Sequence, residues 1–197
     1  MLDAKDLQAP AQAAHDFRAI LDALSKPGLE VSVPELADKP AALHDASIVM
    51  ALALCDYQSP VWLSPRINQA EVCSFLRFHT GAPIVADPAE AQFAFVESGE
   101  FEKHFALFNK GTDEYPDRSA TVIVQASGFS APQRVRLEGP GIKQYEVLSI
   151  AGFGPKEWNL LSDDRILFPL GIDVAFVSDT KLVGLPRSTR ITTQGDR

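Results

Sequence analysis

Apolar side chains near the N-terminus recur with the period of an amphipathic helix. Pro10 suits the first turn of this helix, and Lys26-Pro27-Gly28 ends it, because this run joins a helix breaker to a residue that tolerates positive φ. The spacing predicts a buried face made of Ala14, Phe17, Leu21 and Leu24. Polar residues on the same segment, such as Asp16, are then expected to face solvent.

Strand-like and helix-like patterns alternate in the segments that follow. Residues 29–33, 61–63, 84–86 and 93–96 have the composition and length of strands. Residues 40–55 predict a helix whose segment 48–54 is apolar on nearly every side, which indicates burial between layers. A further helix is expected to begin near Asn68, with Glu71 completing a capping box.

The second half of the chain is richer in strand patterns. Phe101, Phe105 and Phe108 recur at near-helical spacing as core residues before Lys110-Gly111, a run suited to a helix end. Strands are then predicted at residues 120–126, 134–138, 142–150, 174–177 and 182–185. Gly139-Pro140-Gly141 predicts a turn, and residues 155–163 predict a helix. This order predicts an α/β fold with a mixed β-sheet flanked by helices in three layers (α/β/α), forming a single domain over residues 1–197.

Length and charge disfavour several classes of protein. A chain of 197 residues fits one domain with a sizeable core. The longest apolar run, residues 48–55, is too short to cross a membrane. Residues 1–6 lack the basic start of a secretion signal, so a cytoplasmic protein is expected. The formal net charge of −8 argues against sequence-independent binding of nucleic acid.

Few side chains form a recognisable chemical constellation. The chain lacks the P-loop, the dinucleotide-binding glycine pattern, the nucleophile elbow and the HExxH motif. The histidines, at positions 15, 44, 79 and 104, are dispersed on separate predicted elements. Cys55 and Cys73 have no metal-ligand spacing and are expected to be buried free thiols, and no metal site is predicted. Asp163 and Asp164 point about 100° apart on a helix and suggest a solvated helix end.

One cluster near the C-terminus does suggest a ligand. Arg187, Ser188, Thr189 and Arg190 place two guanidinium groups around two hydroxyl groups, which suits a phosphate or phosphonate. The alternative is that the arginines lie at a surface strand end and pair with some of the 26 acidic residues. The residues alone favour this second interpretation.

Several segments together resemble one family. Phe168-Pro169-Leu170-Gly171-Ile172-Asp173 followed by Leu185-Pro186-Arg187-Ser188-Thr189 is similar to the FPLGxD…LPRTT signature of PhnH proteins. Ser188 stands where threonine is expected, a change that keeps the hydroxyl. Further similar segments are Phe17-Arg18, Ser25-Lys26-Pro27-Gly28, Leu54-Cys55-Asp56, Gly111-Thr112 with Pro116, Ser119-Ala120-Thr121, and Leu137-Glu138-Gly139-Pro140-Gly141-Ile142. PhnH proteins are subunits of the carbon–phosphorus lyase core complex.

The resemblance implies a fold related to the PLP-dependent transferases, without PLP or any other cofactor. It also implies a homodimer that joins PhnG, PhnI and PhnJ partners in a complex that displaces adenine from ATP with a phosphonate, giving a ribose 1-phosphonate 5-triphosphate. PhnH is needed for that step but has no accepted catalytic residue. The resemblance therefore implies an accessory subunit whose catalytic residues are unknown. A subunit with its own phosphonate or nucleotide site at residues 187–190, and a free-standing transferase-like enzyme, remain as alternatives.

Overall fold

Nine strands and five α-helices are formed by residues 9–193, the part of the chain that the computed structural model describes. The helices are α1 (Pro10–Ser25), α2 (Asp45–Leu54), α3 (Ala70–Thr80), α4 (Phe101–His104) and α5 (Pro155–Ile166). The strands are β1 (Glu30–Ser32), β2 (Val61–Leu63), β3 (Phe93–Glu97), β4 (Thr121–Gln125), β5 (Val135–Glu138), β6 (Glu146–Leu148), β7 (Asp173–Ser178), β8 (Lys181–Leu185) and β9 (Arg190–Thr193). Residues 1–8, on which the expectation about a secretion signal rests, lie outside this part, as do residues 194–197.

A mixed sheet of six strands in the order β1-β8-β7-β4-β3-β2 forms the centre of the fold. Strands β2, β3, β4 and β7 are parallel, whereas β8 and β1 run antiparallel to their neighbours. The inner strands are apolar almost throughout because both of their faces are covered. The predicted α/β fold with a mixed sheet and helices is therefore confirmed.

Each face of the six-stranded sheet packs against its own hydrophobic core. On one face, Phe95 of β3 lies in a core shared with helices α1, α2 and α3. On the other face, Val96 lies in a core shared with α4, α5 and a second sheet. Alternate residues of one strand enter opposite cores because successive side chains of a strand point to opposite faces.

The second sheet has three antiparallel strands in the order β6-β5-β9 and covers part of the second face. The sequence pattern predicts β5 and β6 as strands but not their separation from the main sheet. In β5, Val135 and Leu137 are buried and Arg136 is exposed. A strand with one buried face suits an antiparallel sheet that is solvated on its outer side.

The predicted buried face of α1 is wrong. Ile20 and Ala23 are the apolar residues that point inward, while Phe17 and Leu21 are exposed. Asp16, expected in solvent, is only 3% exposed. Its burial is tolerated because Gln12 Nε2 donates a hydrogen bond of 2.7 Å to its carboxylate.

Several predicted boundaries also differ from the structure. Helix α2 begins at Asp45 instead of residue 40, and α3 begins at Ala70 after Gln69, without a side-chain cap. The Asn68 capping box is therefore wrong; this side chain accepts a hydrogen bond from Cys73 Sγ instead. Residues 84–86 contribute only an isolated bridge between Ile84 and Val61. The helix beginning at Phe101 ends at residue 104, so the predicted end at 110–111 is also wrong.

Candidate functional site

An open cavity of about 710 Å³ lies where the end of α5, the β5 turn and the segment after β8 meet. All four residues that the sequence singled out, Arg187, Ser188, Thr189 and Arg190, line it. Arg165 and Ser162 of α5 and Glu138 of β5 contribute further polar groups, and Ile166 and Phe168 contribute apolar side chains. The C-terminal cluster thus faces a space large enough for an organic ligand.

Arg187 is held by an acidic partner. Its Nε lies 3.1 Å from Asp173 Oδ2, its Nη2 donates to the same oxygen, and its backbone N–H donates to Asp173 Oδ1 at 2.8 Å. A further bond runs from Nη1 to the carbonyl of Pro116. The pair therefore joins the two segments of the C-terminal signature. Arg187 forms an ion pair, as the second interpretation of the cluster expects.

The other three residues of the cluster are placed differently. Thr189 is fully buried, and its Oγ1 has no hydrogen-bond partner within residues 9–193. Ser188 and Arg190 are exposed at the cavity. Within the same described residues, the Arg190 guanidinium makes neither a hydrogen bond nor an ion pair. Arg190 is therefore free to meet a ligand, unlike Arg187.

Arg165 is a cavity residue that the sequence analysis did not single out. Its side chain is 5% exposed. Its Nη1 donates to the carbonyl of Ile172 at 2.8 Å, and its Nη2 donates to that of Leu185 at 3.1 Å. Its Nε is buried without a partner in the described part of the chain. No local motif marks this arginine, since its burial depends on segments that approach α5 from β7 and β8.

The charge on Arg165 is only partly compensated. Burial lowers the pKa of its guanidinium to about 10 from the ordinary value of 12.5. The carboxylate of Asp164 opposes this shift, followed by that of Asp173, while the positive charge of Arg187 adds to it. An anion in the cavity would oppose the shift in the same way as these carboxylates.

Asp164 anchors the buried end of this network. It is 1% exposed, its Oδ2 accepts from the N–H of Ile172 at 3.0 Å, and its Oδ1 lies 3.1 Å from Lys110 Nζ. The expected solvated helix end is therefore wrong for Asp164, although Asp163 is exposed. Gly171 passes over this carboxylate with φ +113, and a Cβ there would lie 2.6 Å from Asp164 Oδ2, so glycine is required.

The cavity keeps an excess of positive charge in a chain whose formal net charge is −8. Asp173 neutralises Arg187, and Arg165 shares Asp164 with Lys110. Glu138, the acidic residue of the lining, is paired with Arg136, and Arg190 forms no ion pair within residues 9–193. Guanidinium groups and hydroxyls around a partly enclosed space can hold an oxyanion. Ile166 and Phe168 of the same lining can contact an uncharged group of the same ligand.

Other candidate chemistry lies apart from this cavity. Within residues 9–193, no three or more His, Cys, Asp or Glu side chains are arranged to hold a metal ion. No helix in the same range combines the length and apolar character needed to span a bilayer. Cys55 and Cys73 are free, as predicted, but only Cys55 is fully buried. A second cavity, of about 530 Å³, is lined by Trp62 and His104 at the far edge of the sheet.

The fold is that of an α/β protein with a mixed sheet, and residues of its C-terminal third line a cavity rich in arginine side chains. Comparison with known families shows more: the chain belongs to the PhnH family, described as bacterial phosphonate metabolism proteins, whose model matches residues 5–192. This confirms the family suggested by the C-terminal signature.

Two curated relatives cover most of the chain. It is 36% identical over 180 residues to the alpha-D-ribose 1-methylphosphonate 5-triphosphate synthase subunit PhnH of Rhizobium meliloti (strain 1021), covering 91% of this chain and 90% of that protein. It is 31% identical over 189 residues to the putative C-P lyase subunit protein HtxG of Stutzerimonas stutzeri, covering 95% and 89%.

Proposed function

We propose that this chain is a subunit of the carbon–phosphorus lyase system, required for forming a ribose 1-phosphonate 5-triphosphate from ATP and an alkylphosphonate. The observation that carries the proposal is the 36% identity, over nine-tenths of both chains, to a subunit of the synthase that makes such a product. The match covers 91% of this chain, which supports treating residues 1–197 as one unit with the same role. The role is accessory: the chain assembles with the subunits that carry out the chemistry.

The proposal includes the partners and the ancestry of the fold. PhnG, PhnI and PhnJ are the expected partners, and the chain alone is expected to be a homodimer. The six-stranded mixed sheet with helices packed on it is compatible with descent from a PLP-dependent transferase that no longer uses PLP. Mixing the purified chain with PLP tests the last point, since a retained lysine site would give an aldimine absorption band.

Co-purification tests the subunit role directly. The chain is co-expressed with tagged PhnG, PhnI and PhnJ from the same source, and the eluate is analysed by size exclusion with light scattering. Stoichiometric co-migration is expected. A stable dimer that elutes alone, while the three partners form a folded complex without it, would contradict the role. The tagged partners expressed with an unrelated acidic protein serve as the control.

A second candidate function is ligand binding by this subunit itself. The observation that favours it is that residues 187–190 and Arg165 line the same cavity. Isothermal titration of the purified chain with methylphosphonate and with ATP tests it, and the absence of heat with both ligands would rule it out. Co-migration and ligand binding are separate measurements, so either function can stand when the other fails.

A further inference from the structure

The cavity is lined by two kinds of side chain. Arg165, Arg190 and the hydroxyl-bearing residues 188 and 189 are cationic or polar, and Glu138, which also lines the cavity, is paired with Arg136. Ile166 and Phe168 are apolar, with exposed fractions of 80% and 59%. Large apolar side chains this exposed at the rim of a cavity often mark a binding site. A lining that is cationic in one part and apolar in another suits a ligand that is itself divided in the same way.

We propose that the cavity is a two-part site for an organic phosphate of nucleotide size, with the phosphate groups at Arg190 and Ser188 and the planar organic group against Ile166 and Phe168. The choice of phosphorus oxyanions rests on the proposed function, whereas the division into two parts rests on the cavity. Arg165 contributes its buried positive charge, and Arg187 is a positioning residue that fixes the segment.

The division of work among the arginines follows from their partners. Arg187 already donates hydrogen bonds to Asp173 and to the carbonyl of Pro116, so a ligand would have to compete with both. Arg190 has no competing partner in the described residues and presents a planar fork of donors, which suits phosphate oxygens. Arg165 acts through its charge, because its outer nitrogens are bound to carbonyl groups and to the carboxylate of Asp164.

Two buried polar groups that lack hydrogen-bond partners within residues 9–193 support a specific ligand site at the cavity. Within residues 9–193, Thr189 Oγ1 and Arg165 Nε are buried without hydrogen-bond partners, as are Ser119 Oγ and Trp158 Nε1 away from the cavity; the side chains of Thr189 and Arg165 line the cavity. Buried polar groups in native proteins are nearly always paired, so the two at the cavity favour a polar occupant. A small rotation of the Thr189 side chain, or a bridging water, would pair its hydroxyl when an oxyanion arrives.

The size of the cavity argues for more than a simple phosphonate. About 710 Å³ lies in the upper part of the range for organic ligands. Methylphosphonate bound at Arg190 and Ser188 would leave Phe168 without a ligand contact. A planar ring can stack on an exposed aromatic side chain, a contact that typically accounts for about 1–3 kcal/mol per base. The size of the cavity therefore favours a ligand that contacts both the arginine side chains and the apolar side chains of the lining.

Isothermal titration of the full-length chain with ATP, tripolyphosphate and adenosine at matched ionic strength tests the two parts separately. ATP is expected to bind about 10-fold more tightly than tripolyphosphate, and adenosine more weakly than either. Arg190→Ala is expected to weaken ATP and tripolyphosphate by about 10-fold, the effect of one exposed charged hydrogen bond. Phe168→Ala is expected to weaken ATP by about 10-fold and leave tripolyphosphate unchanged.

Helix α3 supplies matched controls. Arg77 and Phe78 are exposed residues of the same types outside the cavity, so Arg77→Ala and Phe78→Ala should leave all affinities unchanged. Equal affinities for ATP and tripolyphosphate, no binding of either, or equal losses in the control variants would each overturn the two-part site. Co-migration of Arg190→Ala with the tagged partners is measured in parallel. Loss of binding with intact co-migration separates this inference from the subunit role.

Discussion

Replacing Asp164 by asparagine removes one negative charge from the buried end of α5 and leaves the shape of the side chain almost unchanged. Asparagine can still accept the hydrogen bond from the N–H of Ile172, which is 3.0 Å long in the structure. It cannot balance Arg165, whose side chain is 5% exposed. Lys110 is 30% exposed and can turn towards water. The penalty therefore falls on one buried guanidinium.

The expected loss in free energy of unfolding follows from the burial of Arg165. Breaking a buried ion pair by removing one partner typically costs about 3–5 kcal/mol, because the remaining charge stays uncompensated. Arg165 keeps two carbonyl acceptors, so we expect about 3 kcal/mol, at the lower end of that range. Asp164→Ala also removes the acceptor for the N–H of Ile172 and should cost about 1–3 kcal/mol more.

Urea unfolding followed by circular dichroism measures the effect. A loss of about 3 kcal/mol lowers the midpoint by about 1–3 M for the m-values usual in proteins of moderate size. Asp163→Asn is the matched control, since Asp163 is the neighbouring carboxylate on the same helix and is exposed. It should stay within about 0.5 kcal/mol of wild type. Equal midpoints for the two variants would refute the assignment of Asp164 as the partner of a buried charge.

Three further predictions concern other parts of the same chain. A double-mutant cycle with Arg187→Ala and Asp173→Ala should give a coupling energy of about 1–2 kcal/mol in urea unfolding; a value near zero would contradict the pairing. Burial raises the pKa of Cys55 from 9.0 to about 12. The folded state therefore keeps a proton that the unfolded state releases, and the free energy of unfolding should fall as pH rises above about 9. Cys55→Ala should make this fall shallower, and an unchanged slope would show that another group causes it. Gly171→Ala, at φ +113, should destabilise by about 2 kcal/mol or more in thermal melts, while Gly99→Ala, with open space around it, should not; similar melting temperatures would contradict the steric argument.

The sequence predicted most elements of the fold, and its failures have physical causes. Apolar periodicity located α1, but the four residues assigned to its buried face and the pair Ile20 and Ala23 both fit a helical period. The choice between the two faces is made by packing against β8 and α2, which local spacing does not contain. Similarly, alternation identified β5 as a strand, whereas its membership of a second sheet depends on pairing with β9, far along the chain.

The sequence predicted only part of the candidate site, because some of its contacts come from segments that are distant in the chain. Arg187 and Arg190 lie in a short segment with two hydroxyls between them, so their pattern is visible in the sequence. Sequence alone could not show that Arg187 is paired and Arg190 is not, because Asp173 approaches from a separate strand. Arg165 resembles any surface arginine on a helix, and only the closure of β7 and β8 over α5 buries it.

The position of β7 in the main sheet has a consequence for synthesis of the protein. This strand, Asp173–Ser178, lies between β4 and β8 and is made after β4, because synthesis proceeds from the N-terminus. Until it emerges from the ribosome, the apolar strand β4 has an open edge that can pair with other chains. Chains that stop before residue 173 should therefore aggregate, and refolding should depend on protein concentration.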